Sequence, residues 1–226
     1  MASWSSLFDF YPLNLASPEW GNKDCGSTLC GNVNISYPFR LKSQPWECGY
    51  HRLELECENN INRTTLAMKH GKFYVEEINY ENYTVRVVDS SLIRDNCSLP
   101  LSFFDDSMAC AVPYDQVGYI YGNIYIVNCT RATKSSLYLD ASRCTTNSSS
   151  HPPNSYLYFL DGVTKPRDFN PSCTVIAEVG TNGFINISTG MSTLEFYQIL
   201  LMGFELSWRY YNTNYCSRGR ISFHRM

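Results

Sequence analysis

The sequence predicts a mainly β fold, a disulfide-stapled antiparallel sandwich or barrel-like domain with a short C-terminal helix. Three observations predict it. Ten cysteines are spread along 226 residues, at 25, 30, 48, 57, 97, 110, 129, 144, 173 and 216. Between them run short segments rich in Val, Ile, Tyr and Phe, separated by turn formers, which is the pattern of half-buried strands. Only one segment, near the C-terminus, carries a helical start signal. Hydrophobic residues at 44% and aromatics at 15% supply a core and argue against a disordered chain.

Taken in order, residues 1–24 read as an irregular lead-in broken by Pro12 and Pro18. Residues 25–180 read as the β domain. VNISY at 33–37, RLELEC at 52–57 and TTLAMK at 64–69 are short alternating strands. KFYVEEINY at 72–80 and YTVRVVD at 83–89 flank a turn-rich N-Y-E-N and predict a hairpin. VGYIYGNIYIVNC at 117–129, broken by Gly122-Asn123, reads as a second hairpin, and SYLYFLDG at 155–162 and CTVIAEV at 173–179 complete the strands. In the tail, 181–226, Ser192 and Glu195 have capping-box spacing ahead of TLEFYQILLMGF, a helix of about three turns that FELSW is expected to continue. That segment is apolar nearly all round, so it should dock on something.

The cysteines also bear on the compartment. A structural zinc site wants paired C-x₂₋₄-C units, and only Cys25 and Cys30 come near that spacing; a redox C-x-x-C is absent. Disulfides in an oxidising compartment are the expectation for all ten, with the connectivity left open. Sequons at Asn34, Asn62, Asn82, Asn147 and Asn186 agree with passage through the secretory pathway. Two more, at Asn96 and Asn128, have Cys as the middle residue, so glycan transfer there would compete with disulfide formation. The segment MASWSSLFDFYPLNLASPEW has Asp9 and Pro12 inside its only apolar stretch and does not read as a secretory leader. No run of eighteen apolar residues predicts a transmembrane helix.

Chemistry is excluded more readily than it is assigned. A net charge of −3 gives no basic field for nucleic acid. There is no GxGxxG, P-loop, HExxH or GxSxG. His51, His70, His151 and His224 have no metal partner at helical spacing, and Asp105-Asp106, adjacent on an extended chain, point to opposite faces. No cofactor, metal or catalytic residue is called for, and the chain is not expected to be an enzyme.

One resemblance is specific. CGSTLCGNVNISYPF at 25–39, followed by CGYHRLELEC at 48–57, resembles the opening of the extracellular galacturonan-binding module of plant wall-associated receptor kinases. The order of the later segments extends the likeness to about residue 180. FYQILLMGFELSW at 196–208 resembles the start of the C-terminal module of these receptors, in the leaf-rust-resistance-like subgroup. In that family the second module runs on into a cysteine cluster, a transmembrane helix and a kinase. Here only Cys216 precedes RGRISFHRM, so 181–226 reads as a truncated module and kinase activity is not carried over. Cys110, which matches no family position, is a candidate partner for Cys216.

The resemblance implies a non-catalytic, extracellular or cell-surface module that binds acidic wall polysaccharide, pectin or oligogalacturonide. Its polyanionic ligand suits Arg or Lys on carboxylates and aromatic faces on sugar rings. Residues 25–72 carry six basic and four acidic residues, against two and eight in 73–115, which nominates Arg40, Lys42 and Arg52 beside Tyr37, Phe39, Trp46 and Tyr50. Against this, Tyr37, Pro38 and Phe39 suit packing between disulfides better than contact with a ligand. A rival expectation is a protein-binding fragment, a decoy or co-receptor, which would meet other receptor ectodomains through an uncovered apolar 194–208 segment.

Overall fold

The computed structural model describes residues 25–58, 60–68, 71–94, 96–102, 115–116, 121–144, 155–162, 164–183, 185–187 and 190–208. Cys110, Cys216, Asn147, the lead-in 1–24 and the loop 145–154 lie outside the described residues. Strands β1 (Thr28–Cys30) and β2 (Val33–Ile35) form a small hairpin. The following strands are β3 (Arg40–Leu41), β4 (Glu54–Glu58), β5 (Arg63–Met68), β6 (Gly71–Asn79), β7 (Thr84–Asp89) and β8 (Asp115–Gln116). They join β13 (Phe204–Ser207) in a seven-stranded sheet of order β3-β4-β5-β6-β7-β13-β8. Among the described residues of this sheet only the β3–β4 pairing is parallel. A second sheet, of four strands, has the order β10 (Leu139–Asp140), β11 (Tyr156–Asp161), β9 (Tyr121–Cys129), β12 (Cys173–Asn182).

Strand alternation explains how the sheets pack. Leu66 lies opposite Phe73, Val75 opposite Val87, and Phe204 opposite Val87 from the other side, and all five are buried. On the second sheet Ile124, Ile126, Leu157 and Phe159 enter the same core cluster. The architecture is therefore a sandwich of inward-facing apolar rows, without barrel closure. The other face of the four-stranded sheet carries Val127, Tyr158 and Leu160, which pack with Tyr125, Tyr138 and Phe169 in a second cluster. The expected hairpin of β6 and β7 is present, with Asn79 opposite Thr84.

Helix α1 (Thr193–Met202) starts at the expected capping box: the Ser192 side chain accepts from the Glu195 amide, and Glu195 reaches back to the Ser192 amide. Phe196, Tyr197 and Leu200 turn into the core, where Phe196 meets Phe159 at 4.6 Å between ring centroids. Among the described residues four cross-links brace the fold: Cys25–Cys48, Cys30–Cys57, Cys97–Cys144 and Cys129–Cys173. Cys97 and Cys129, the middle residues of two sequons, are both in disulfides.

Three expectations need correction. FELSW does not continue the helix. Gly203, at φ +72°, turns the chain, and a Cβ there would collide with the Val87 carbonyl. Phe204–Ser207 then pairs along β7 as a strand. Gly122-Asn123 is not a hairpin turn but the interior of β9, opposite Thr181 and Gly180 of β12. Lastly, the apolar 194–208 segment is not left uncovered. Phe196, Tyr197, Leu200, Phe204, Leu206 and Trp208 are buried within the chain's own core, so most of the apolar surface on which the protein-docking expectation rested is covered, and Leu194 and Met202 stay exposed.

Trp208 closes the sandwich at one corner. Its ring sits edge-on to Phe39 at 4.8 Å and near Tyr80 and Tyr83, each at 6.1 Å, and its amide donates to the Tyr83 carbonyl. Truncating a core aromatic costs about 3–5 kcal/mol, so Trp208→Ala should lose that much stability in denaturant unfolding. Ending the chain at residue 190, which removes α1, β13 and Trp208 together, should abolish the cooperative thermal transition. An unchanged melting midpoint in the shortened protein would show the segment to be peripheral.

Candidate binding site

The nominated residues fall on the connection from β2 to β4, residues 36–53, and the structure divides them. Phe39 is 1% exposed and packs edge-on against Trp208 and Tyr80, so it belongs to the core. Arg40 is also buried. It is paired with Glu54 and donates to the Leu41 and Gln44 carbonyls, at 3.3 and 3.1 Å. Its charge is thus committed to holding β3 beside β4. Lys42 is exposed, and its ammonium makes no ion pair among the described residues. Arg52 sits on the short 3₁₀ turn His51–Leu53, and its side chain lies outside the described residues.

The aromatic residues are brought together more closely. Tyr37 and Tyr50 stand 5.6 Å apart between ring centroids, and the Tyr37 hydroxyl donates to that of Tyr50 at 3.0 Å. The Tyr50 amide donates to the Pro38 carbonyl, and Gly49 lies so close beneath it that a Cβ would come within 2.7 Å of the same oxygen. Only glycine fits that approach. Cys48, buried and bonded to Cys25, anchors the neighbouring turn Trp46–Cys48, at whose start Trp46 is 77% exposed. A large aromatic so open to water, on a loop held by a disulfide, is an unusual use of apolar area. Burial, then the hydrogen bond to Tyr50 and the charge conflict between the two phenols, pushes the Tyr37 hydroxyl up to about 12, so it stays neutral at physiological pH.

The sequence reading missed a second group of charges, on the outer face of the seven-stranded sheet. Arg63 lies 3.7 Å over the Tyr74 ring and pairs with Glu76, which also meets Arg94 at 3.6 Å. Lys72 pairs with Glu58, and this hydrogen bond holds its ammonium above the usual lysine range. Most of the basic surplus seen in 25–72 is therefore matched by local carboxylates. The alternation of Glu54, Glu56 and Glu58 against Arg63 and Lys72 signals this face, but only once the strand register is known.

Comparison with known proteins places this loop in a family. The model described as wall-associated receptor kinase galacturonan-binding matches residues 25–89. In Arabidopsis thaliana, leaf rust 10 disease-resistance locus receptor-like protein kinase-like 2.8 is 36% identical over 103 residues, 43% of this chain and 11% of that protein. The 2.4 relative is 34% identical over 95 residues, 42% of this chain and 15% of its own length. RING-H2 finger protein ATL22 is 36% identical over 91 residues, 39% of this chain and 22% of that protein. The aligned part thus spans less than a quarter of each of these relatives. No solved structure matches.

The Tyr37 hydroxyl gives a pH test. Its folded pKa is raised, so its contribution to stability is complete below the ordinary tyrosine value near 10 and is lost as pH climbs toward 12. Subtracting the ultraviolet titration of Tyr37→Phe from that of the parent should leave a phenolate step near 12; a step near 10 would deny the hydrogen-bonded pair. Tyr37, Tyr50 and Trp46 all lie inside the matched segment, and the chain carries, at residues 25–89, a domain of the wall-associated receptor kinase galacturonan-binding family.

Proposed function

We propose that the chain is a non-catalytic, extracellular or cell-surface binding module of a receptor-kinase-like protein, and that it takes acidic wall polysaccharide, pectin or oligogalacturonide. The observation that carries this reading is the disulfide-anchored loop inside the family match that presents Trp46, the Tyr37–Tyr50 pair and Lys42 to solvent. Trp46 and the tyrosine rings offer flat apolar faces to the C–H side of sugar rings, and the two phenols offer hydrogen bonds to their hydroxyls. Lys42 and Arg52 are assigned to the uronate carboxylates. Arg40 and Phe39 take a supporting role, holding the loop against β4 and the core. The non-catalytic part of the reading draws on the relatives. Kinase-named and RING-H2-named proteins each align with this chain over a small share of their length, which supports a shared part separate from the activity in either name.

Binding of the oxidised, secreted protein to de-esterified oligogalacturonide, followed by calorimetry, tests the assignment. Trp46→Ala and Lys42→Ala should each weaken binding by up to about tenfold, or ~1.4 kcal/mol. Added salt should weaken it further through screening of the exposed cations. Arg167→Ala, on an exposed turn elsewhere, serves as the control. Unchanged affinity in a Trp46→Ala/Lys42→Ala double variant would remove the ligand from this loop, and equal affinity for fully methyl-esterified pectin would remove the acidic ligand.

A further inference from the structure

Where the turn 60–62 before β5 meets the turn of the β1–β2 hairpin, a cleft of about 260 Å³ opens, lined by Asn32, Val33, Ile61, Asn62, Arg63 and Glu76 among others. We infer that Asn62 carries an N-linked glycan whose first sugar seats in this cleft. Asn62-Arg63-Thr64 is a sequon, and Asn62 is exposed at the tip of the turn with φ +51°, a left-handed conformation that Asn tolerates. Its side chain is already oriented. The Gly31 amide donates to Asn62 Oδ1 at 3.1 Å, which fixes the carboxamide plane and leaves Nδ2 as the atom for a linkage. Glycosylation keeps that carbonyl oxygen, so the hydrogen bond survives the modification.

The lining suits a neutral sugar. Ile61 is 45% exposed and offers an apolar surface to a sugar ring, with the Asn32 carboxamide and the Glu76 carboxylate as polar partners. An acidic sugar fits poorly, because Arg63 is already paired with Glu76 and stacked on Tyr74, and Glu76 would face the incoming carboxylate. The cleft is therefore distinct in chemistry from the proposed polysaccharide loop, and the inference does not rest on that loop.

The transfer needs a lipid-diphosphate-linked oligosaccharide as donor. Asn62 Nδ2 attacks the anomeric carbon, a C–N bond forms as the C–O bond to the diphosphate breaks, the amide loses one proton, and the lipid diphosphate departs. Timing is constrained too. The Thr64 hydroxyl that the sequon requires is 1% exposed and donates to the Cys30 carbonyl at 3.0 Å. The sugar is thus attached before β5 pairs and before Cys30–Cys57 closes, and the folding chain closes the cleft around it.

The full chain, secreted through a eukaryotic host, supplies the test. Glycopeptide mass spectrometry should find Asn62 occupied in most molecules. An endoglycosidase that leaves one sugar should preserve slow amide exchange at residues 31–33 and 75–76. Complete removal of the glycan, or Asn62→Gln from the same host, should speed that exchange by about tenfold. An unmodified Asn62, or equal exchange in the one-sugar and no-sugar forms, overturns the inference. Should Asn62→Gln fail to accumulate, the enzymatically trimmed pair decides it alone.

Discussion

The cross-links are the constraint on which the rest of this fold depends. Most of the contacts that define the sandwich are between segments far apart in sequence, and such pairings carry a large loop-closure cost. The four disulfides close separations of 23, 27, 47 and 44 residues. Each contributes about 2–4 kcal/mol, against a total stability of roughly 5–15 kcal/mol for a domain. Together they are comparable to the whole margin. Their placement is equally informative. Cys129–Cys173 ties neighbouring strands of the four-stranded sheet, Cys30–Cys57 ties the first hairpin to β4, and Cys97–Cys144 joins loops that follow β7 and β10. Cys25–Cys48 spans the base of the loop that presents Trp46.

On the proposed function, that last bridge links stability to recognition. A loop of exposed aromatics would ordinarily lose much of its binding energy in becoming ordered. Here the disulfide at Cys48, the close approach of Gly49 to Pro38 and the burial of Phe39 against Trp208 hold the loop before any ligand arrives. The Trp208 contact comes from outside the family-matched segment, as do β13 and α1. The matched region therefore completes its sheet and its core with residues more than a hundred positions downstream. Charge is spent largely on the scaffold, with Arg40 on Glu54, Arg63 on Glu76 and Lys72 on Glu58. On the proposed function, a polyanion would meet aromatic surface and, among the described residues, few free cations, which favours stacking over bulk electrostatic attraction.

Much of this was legible in the sequence because it is local. The Ser192–Glu195 cap, the alternation in 72–89 and the Cys-rich, charge-poor composition each report on neighbours within a few positions. What stayed hidden is long-range. FELS is helix-compatible by composition, and it becomes a strand because β7 offers a free edge and Gly203 turns the chain toward it. Gly122-Asn123 has the form of a turn, yet β12 lies beside it and pairing with Gly180 and Thr181 keeps it extended. Arg40 stands in a basic, aromatic stretch that reads as a binding face, but Glu54 turns it inward, while Phe39 packs, as its neighbours in sequence favour, against the distant Trp208. Apart from Glu54, fourteen positions from Arg40, the deciding partners lie far off in sequence, where no local window of residues reaches them.

The disulfide map tests the brace most directly. Digestion of the natively secreted protein under non-reducing conditions, with thiols blocked at the outset, should release four linked peptide pairs joining Cys25 to Cys48, Cys30 to Cys57, Cys97 to Cys144 and Cys129 to Cys173. Predominantly free thiols at these eight positions, or a Cys25–Cys30 link in place of the first two pairs, would contradict both the sandwich and the anchored loop that depends on it.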